Sequence, residues 1–349
     1  MDRFELLKSL SEAFGVSGFE DEVRNLFEDR LSGFATVKRD RVGSVVGALE
    51  GDGPKIMFAA HLDEVGFLVK SITKEGYLKI IPVGGWWEGV LPAQRVVVKN
   101  RRGEKWLGVI AAKPIHELEP EERKKLPKMK DLVVDVGVKK GFEIKERLKI
   151  RPGDPIAPVS EFTRLGNPDL LMGKAFDDRI GAGLLLELAE RMPEHKNSIF
   201  LAGTVQEEVG LRGARTCARM VEPDVAFAID VSISRDGPGE DGEERLGGGV
   251  GIVIHDRTMI PNRKLRDWVI SLCEVNKIPY HLTSITGGYD TGVIHISGFG
   301  VPSLAIGIPT RYIHSHIAVV DERDYENILK LLILISERLD RQRFQEIMS

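Results

Sequence analysis

From Gly173 onward, short apolar runs alternate with segments of helical periodicity. Residues 198–205 and 224–230 are apolar enough to form buried strands, whereas residues 178–191 and 213–220 have the pattern of helices. Strands that alternate with helices in this way build an α/β sheet. The other elements predicted in this half are strands at 249–255, 280–284 and 303–308, and helices at 262–275 and 322–343.

The N-terminal residues predict two helices followed by strands. Apolar residues within 4–14 recur at helical spacing and are followed by a glycine, which is typical of a helix end. Ser17 and Glu20 then fit a Ser-x-x-Glu capping box, which predicts the start of a second helix. Beyond it the pattern changes to short apolar runs between glycines, of which residues 55–60 are the clearest strand.

Residues 67–163 differ from the rest of the chain, because they contain many strand patterns and little helical periodicity. The chain is therefore predicted to have a discontinuous α/β domain, residues 1–66 and 164–349, with an inserted all-β domain at 67–163. The charged, proline-bearing segment 117–130 predicts a loop or a short exposed helix. Strands of the insertion are predicted at 77–83, 95–99, 106–111 and 132–136.

Charge and hydropathy exclude several classes of protein. The 349 residues carry a formal net charge of -4 and mix both signs, so no basic stripe could follow a phosphate backbone and nucleic acid is not an expected partner. A membrane is not an expected partner either, because the chain has no run of about 18 apolar residues. The first residues lack the apolar core of a signal peptide and the two cysteines are too few for a disulfide framework, which predicts a cytoplasmic protein.

Polar side chains recur where predicted strands end. His61 follows the strand at 55–60, and Asp63 lies two residues later, within reach of the second ring nitrogen of His61. Taken alone, each of these segments has an ordinary explanation as a core histidine, a helix cap, a strand-end turn or a surface loop. The other segments are Asp177–Asp178, Glu207–Glu208, Asp230 and His314.

The five segments together indicate a metal site. Open α/β sheets place their ligands at the carboxyl ends of strands, and a set of two histidines and three carboxylates suits two divalent ions that share one carboxylate. In the Glu207–Glu208 pair one side chain could bind metal while the other takes a proton from water. The chain has no Walker A pattern and no Gly-x-Ser-x-Gly elbow, which disfavours phosphate-loop and serine-nucleophile chemistry.

Longer motifs make the chain resemble the TET-type glutamyl, leucyl and deblocking aminopeptidases, dinuclear metallopeptidases that are sometimes labelled endoglucanases. The resemblance implies a mixed-sheet, zinc-peptidase-like α/β catalytic domain with an inserted all-β dimerisation domain. It also implies peptide substrates, two zinc or cobalt ions per subunit and a hollow homo-dodecamer built from dimers. The motifs are AAHLDEVG at 59–66, GGWW at 84–87, AFDDR at 175–179, VQEEVGLRGA at 205–214, AIDV at 228–231 and RYIHS at 311–315.

Carried over residue by residue, the resemblance implies a role for each polar side chain. His61 and Asp230 would hold one metal ion, Glu208 and His314 would hold the other, and Asp177 would bridge the two.

Two further carboxylates are implied to act without binding metal. Glu207 matches the general base, and Asp63 matches the carboxylate that supports His61 from behind. The Asp177–Asp178 peptide matches the linkage with which the family aims its bridging ligand.

Four residues depart from the pattern common in the family. Tyr289 and Thr291 stand where threonine and alanine are common, Ala318 where glutamate is common, and His316 where proline or asparagine is common. None of these is a predicted ligand, so they bear on the preferred side chain of the substrate. Trp86 and Trp87 are a predicted interface anchor, with packing inside the insertion's own core as the alternative.

Other functions stay open at this point. A dinuclear carboxypeptidase or deacylase could use the same ligands with Arg311 or Arg212 as a clamp for a substrate carboxylate. A non-catalytic assembly protein with structural metals would leave Glu207 without a role. An endoglucanase needs a paired acid and nucleophile, whereas these carboxylates are predicted to bind metal.

Overall fold

A computed structural model describes residues 2–192, 194–240 and 242–349. The chain begins with two helices that pack on one face of the main β-sheet and lead into the first strands of that sheet. The elements are α1 (Arg3–Glu12), α2 (Asp21–Leu31), β1 (Thr36–Arg39), β2 (Val45–Leu49) and β3 (Lys55–His61).

The predicted capping box at the start of α2 is wrong. The helix begins at Asp21, and its N-cap residue Glu20 makes no side-chain capping hydrogen bond. Ser17 lies too far before the first turn to cap it, and its hydroxyl donates instead to the Asp63 carboxylate at 2.6 Å. A tertiary contact therefore takes the hydroxyl that the local pattern assigned to the helix.

The next strands form a closed barrel in the order β4-β5-β8-β7-β6-β9. All neighbouring pairs are antiparallel, and the inward side chains form a core of their own. The strands are β4 (Gly66–Ile72), β5 (Tyr77–Val83), β6 (Arg95–Lys99), β7 (Lys105–Ala111), β8 (Val133–Asp135) and β9 (Pro155–Pro158). Two short helices, α3 (Pro120–Arg123) and α4 (Gly141–Glu146), join them.

The two adjacent tryptophans after β5 have different environments. The ring of Trp86 stacks on Phe67 at 4.9 Å between centroids, and its indole nitrogen donates to the Gly66 carbonyl at 3.0 Å. Trp87 is 60% exposed. Packing within the barrel therefore accounts for Trp86 but not for Trp87.

The rest of the chain completes an eleven-stranded mixed sheet with helices on its faces. Its strands are β10 (Thr163–Arg164), β11 (Leu170–Gly173), β12 (Ser198–Thr204), β13 (Val225–Ile233), β14 (Val250–His255), β15 (Tyr280–Ser284), β16 (Ser303–Arg311) and β17 (Ala318–Asp321). Its helices are α5 (Phe176–Glu190), α6 (Arg212–Val221), α7 (Arg263–Val275), α8 (Thr291–Ile294), α9 (Glu322–Arg338) and α10 (Arg341–Met348).

The sheet runs β1-β2-β12-β3-β13-β16-β17-β11-β10, with β14 against β16 and β15 against β14. The pairs β12–β3, β3–β13 and β13–β16 are parallel. Because side chains from both faces of these central strands are buried, their sequences are almost continuously apolar.

The long helix predicted for 322–343 is two helices. α9 ends at Arg338, and the carboxylate of Asp340 accepts a hydrogen bond from the backbone nitrogen of Arg343 at 2.8 Å, which caps α10. Among the described residues, no helix combines the length and apolarity needed to cross a membrane.

Candidate metal centre

The parallel strands bring the predicted ligands to one edge of the sheet. His61 ends β3 and lies beside Thr204, the last residue of β12, so the Glu207–Glu208 pair follows immediately beyond it. Asp230 lies on β13 two residues past Ala228, which pairs with Ala59 of β3. The carboxyl ends of adjacent parallel strands therefore place these groups together.

The Asp177 carboxylate lies between the two histidines. Its Oδ1 is 2.8 Å from His61 Nε2, and its Oδ2 is 3.3 Å from His314 Nε2. His61 Nε2 is also 3.9 Å from Asp230 Oδ1, and His314 Nε2 is 3.5 Å from Glu208 Oε1. One oxygen of Asp177 thus faces each histidine and its acidic neighbour. The peptide bond that follows Asp177 is cis.

All five predicted ligands meet in two groups that share Asp177. The potential ligand atoms of His61, Asp177 and Asp230 lie within 4.8 Å of one another, and so do those of Asp177, Glu208 and His314. Imidazole and carboxylate are donors that suit zinc and similar divalent ions. Glu207 belongs to neither group, although it lines the same cavity.

Asp63 fixes the backbone of the Glu207–Glu208 pair. Its Oδ1 accepts a hydrogen bond from the Glu207 nitrogen at 3.0 Å, and its Oδ2 accepts one from the Glu208 nitrogen at 3.2 Å. Toward His61, the Asp63 backbone carbonyl is closer to Nδ1 than its carboxylate is, at 3.1 Å against 3.6 Å for Oδ1. The acceptor nearest His61 Nδ1 is therefore this carbonyl, whereas the sequence pattern indicated the carboxylate.

The buried carboxylates of the site crowd one another. Burial and then the Asp177 carboxylate raise the pKa of Glu208 to about 8, and burial together with neighbouring carboxylates raises the pKa of Glu207 and Asp230 well above the usual range. Although burial opposes it, hydrogen bonds with His314 and His61 lower the pKa of Asp177. The excess of buried negative charge is the condition that a bound cation relieves, so these residues fit divalent metal.

The pKa values of the two histidines are raised as well, which for histidine favours the charged form. Burial disfavours their charged forms, yet hydrogen bonds to Asp177 and Asp63 raise the pKa of His61, and Asp177 and Glu208 raise that of His314 to about 10. Without a metal ion, the protonated side chains of His61 and His314 carry the positive charge that offsets part of the carboxylate charge.

Three supporting contacts have no counterpart in the sequence patterns. Asp178 Oδ2 accepts from the His61 backbone nitrogen at 3.1 Å, and the Lys174 ammonium contacts both Glu64 oxygens at 2.7 Å. Asp290 accepts from the Thr204 hydroxyl at 2.5 Å. Their partners lie 86 to 117 positions apart in the chain, so local patterns carry no signal for them beyond the pairing of acidic residues at Asp177–Asp178.

Of the residues that depart from the family pattern, Tyr289 lines the cavity of the candidate centre, whereas His316 and Ala318 are not among its described lining residues. The Tyr289 hydroxyl donates to the Val231 carbonyl at 3.0 Å, next to Asp230. The His316 ring is buried 5.6 Å from that of Trp86, and burial lowers its pKa to about 4. Ala318 begins β17 and is buried.

The centre opens into a cavity of about 520 Å³. The predicted ligands His61, Asp177, Glu208, Asp230 and His314 line it together with Glu207. The remaining lining residues, called the non-ligand wall, are Gly210, Leu211, Val231, Ile233, Arg257, Thr258, residues 285–289 and Ile313.

Comparisons with known proteins show the family of the chain. Residues 43–331 match the family described as M42 glutamyl aminopeptidase. The lysyl aminopeptidase of Pyrococcus furiosus is 34% identical over 347 residues, with 98% of this chain and 99% of that protein covered. The glutamyl aminopeptidase of Lactococcus lactis is 32% identical over 362 residues, with 99% of this chain and 99% of that protein covered.

Solved structures extend the likeness to the fold. The TET aminopeptidase of the marine sediment archaeon Thaumarchaeota archaeon SCGC AB-539-E09 superposes with a TM-score of 0.95 at 45% identity, over 99% of this chain and 98% of that chain. The structure described as PhTET1-12s, a dodecamer in the asymmetric unit, gives 0.88 at 31% identity, over 97% of this chain and 100% of that chain.

Proposed function

Because the chain belongs to the M42 glutamyl aminopeptidase family and is therefore a peptide hydrolase, we propose that its cavity releases N-terminal residues from short peptides with two divalent ions. One observation carries this proposal: the two oxygens of Asp177 face His61 and His314 separately, each beside a further carboxylate. A shared carboxylate is what two adjacent ions require. Zinc and cobalt are the proposed metals.

The proposed ligands divide as the family resemblance implies. His61 and Asp230 would hold one ion, Glu208 and His314 would hold the other, and Asp177 would be shared by both. Bound ions of this kind lower the pKa of water toward about 7 and polarise a carbonyl. Glu207 accepts the water proton and returns it to the leaving amine, since it lines the cavity but lies outside both groups of ligand atoms.

Asp63 supports this arrangement from behind. By accepting from the backbone nitrogens of Glu207 and Glu208, it holds the base and a ligand at a constant separation. Burial opposes its charge, but the nearby His61 side chain and the hydrogen bond from Ser17 lower its pKa, so it remains an acceptor.

Reporter hydrolysis tests the proposal against its alternatives. After chelation and reloading with zinc or cobalt, an aminopeptidase hydrolyses aminoacyl reporters and spares their N-acetylated forms. A deacylase or carboxypeptidase would act on acylated substrates, and a non-catalytic protein would act on neither. Full activity after exhaustive chelation would refute metal dependence.

The two arginines considered as a carboxylate clamp are placed elsewhere. Arg311 binds the Asp236 carboxylate through Nε at 2.8 Å and Nη2 at 2.6 Å, and Arg212 donates to Gln206 Oε1 at 3.2 Å. Neither lines the cavity. Both observations argue against Arg311 and Arg212 as that clamp.

We also propose that residues 67–163 are a dimerisation domain and that dimers assemble into a dodecamer. The support is the dodecamer described for PhTET1-12s, together with apolar side chains on the outside of the barrel. Leu107 is 68% exposed, and Tyr77 and Val109 lie on either side of Asp135 in the barrel. A cytoplasmic location stays a prediction.

A further inference from the structure

We infer that the cavity selects peptides whose N-terminal residue has an uncharged aliphatic side chain, and that Arg257 disfavours a cationic one. This inference rests on the proposed function, since it concerns the substrate of the same site. A substrate whose scissile bond lies at the proposed ligands places its first side chain among the residues of the non-ligand wall, because both line the same cavity.

The non-ligand wall contains five aliphatic side chains, those of Leu211, Val231, Ile233, Ile285 and Ile313. Leu211, Ile285 and Ile313 are half-buried, and Ile233 is 37% exposed, although all four line a cavity about 520 Å³ in volume. Aliphatic side chains left partly open to a cleft bury further apolar surface when an apolar ligand enters. A leucine or methionine side chain matches this wall in chemistry.

Two polar side chains of the same wall already have hydrogen-bond partners. The Thr258 hydroxyl donates to Asp256 at 2.6 Å, and the Tyr289 hydroxyl donates to the Val231 carbonyl at 3.0 Å. Tyr289 is only 2% exposed, and its ring packs with Ala228 and other core side chains. A polar substrate side chain therefore finds few free partners there.

The charges of the wall disfavour a cationic substrate side chain. Outside the proposed metal centre, the described lining residues include no aspartate or glutamate that could pair with lysine. They include one arginine, Arg257, which is exposed and for which the described residues show no side-chain partner. An acidic side chain could meet Arg257 but would enter beside Glu207 and Asp230, so the aliphatic class satisfies the cavity best.

A panel of aminoacyl reporters tests the inference on the full chain loaded with zinc or cobalt. We expect kcat/KM for leucyl and methionyl reporters to exceed that for lysyl and glutamyl reporters by about tenfold or more, the scale of one good apolar contact. Equal or faster hydrolysis of the lysyl or glutamyl reporter would overturn the aliphatic assignment. Hydrolysis of none of the reporters would overturn the proposed function itself, and this inference with it.

Two variants at residues of the non-ligand wall test the inferred substrate preference, because a ratio of two kcat/KM values does not depend on the fraction of folded protein. Arg257→Glu should raise the lysyl-to-leucyl ratio of kcat/KM about tenfold, because a repulsion becomes an attraction. Ile233→Asp, at another point of the wall, should shift the ratio in the same direction. Arg263→Glu makes the same charge change at an exposed residue outside the cavity and should leave the ratio unchanged. A ratio that stays constant in Arg257→Glu, or shifts equally in Arg263→Glu, would rule out the role of Arg257.

Discussion

The Nδ1 atom of His314 lies 2.8 Å from the backbone carbonyl of Gly85, which belongs to the segment after barrel strand β5. Because a carbonyl only accepts, Nδ1 carries the proton and Nε2 faces Asp177 and Glu208. A backbone atom next to the barrel therefore orients a proposed ligand of the sheet. This contact links the segment that follows β5 to the proposed metal centre.

Gly85→Ala should weaken metal binding at the His314 side. A Cβ at position 85 would lie 3.2 Å from His314 Nδ1, so the ring must shift or lose its acceptor. We expect roughly tenfold or greater loss of affinity for one ion, the usual effect of disturbing a group that orients a ligand. Calorimetric titration measures it. Gly166→Ala, where a Cβ meets nothing within 4 Å, is the matched control, and equal affinities in both would refute the role of Gly85.

Glu207→Gln and Glu208→Gln should have different effects although the two residues are adjacent. Glu207→Gln should keep both ions and lose about 10²-fold or more in turnover, because an amide cannot accept the water proton. Glu208→Gln should bind one ion more weakly, because it removes a charged ligand atom. Metal content and kcat on the same preparations separate the two roles. Near-normal turnover in Glu207→Gln would exclude it as the base.

Ser17→Ala should destabilise the metal-free protein. The change removes a buried hydrogen bond of 2.6 Å to the Asp63 carboxylate, and bonds to charged groups contribute about 1.5–3 kcal/mol to the free energy of unfolding. Ser9→Ala, which removes a hydroxyl bonded to the Leu6 carbonyl of its own helix, should cost less. Denaturant unfolding measures both, and equal losses would argue against a special contribution from Asp63.

Leu107→Glu should disrupt assembly if the barrel mediates dimerisation. The side chain is 68% exposed, so the fold tolerates the change, whereas a buried interface would have to desolvate the new charge. Light scattering should report about twelve subunits for the unaltered chain, as in the relative described as a dodecamer, and smaller species for the variant. Met348→Glu, at a 56% exposed position outside the barrel, serves as the control. An unaltered chain that is monomeric yet active would show that assembly is not needed.

The Asp236–Arg311 ion pair should make stability depend on pH in the acid range. Hydrogen bonds from Arg311 lower the pKa of Asp236 to about 2, from 3.8. A carboxylate with a depressed folded-state pKa contributes stability that is present above about pH 4 and disappears as the pH falls toward 2. Asp236→Asn should therefore be less stable than the unaltered chain at pH 6, with the difference shrinking on acidification. A difference that is constant with pH would exclude this ion pair as its source.

Local patterns predicted the elements whose periodicity is strong. The insertion strands at 77–83 and 95–99 and the strand at 280–284 have the predicted bounds, because alternating or continuous apolar residues report burial directly. The C-terminal helix was predicted too long, since its apolar pattern continues across Leu339 while the cap at Asp340 starts a new helix. Periodicity records which faces are buried and is insensitive to such a break.

The amino-acid sequence by itself determined the polar residues that end the strands, because parallel strands bring their carboxyl ends together wherever they pair. Strand-end polar segments indicated His61, Asp177–Asp178, Glu207–Glu208, Asp230 and His314 as a set, and the family resemblance singled out Glu208 as the ligand of its pair; these roles stay a prediction. Only the tertiary structure decided which atoms orient that set. The contact of Ser17 with Asp63 joins residues 46 positions apart. The contact of the Gly85 carbonyl with His314 joins residues 229 positions apart. Hydrogen bonds of this kind depend on how distant segments pack, and neither periodicity nor a local motif encodes that geometry.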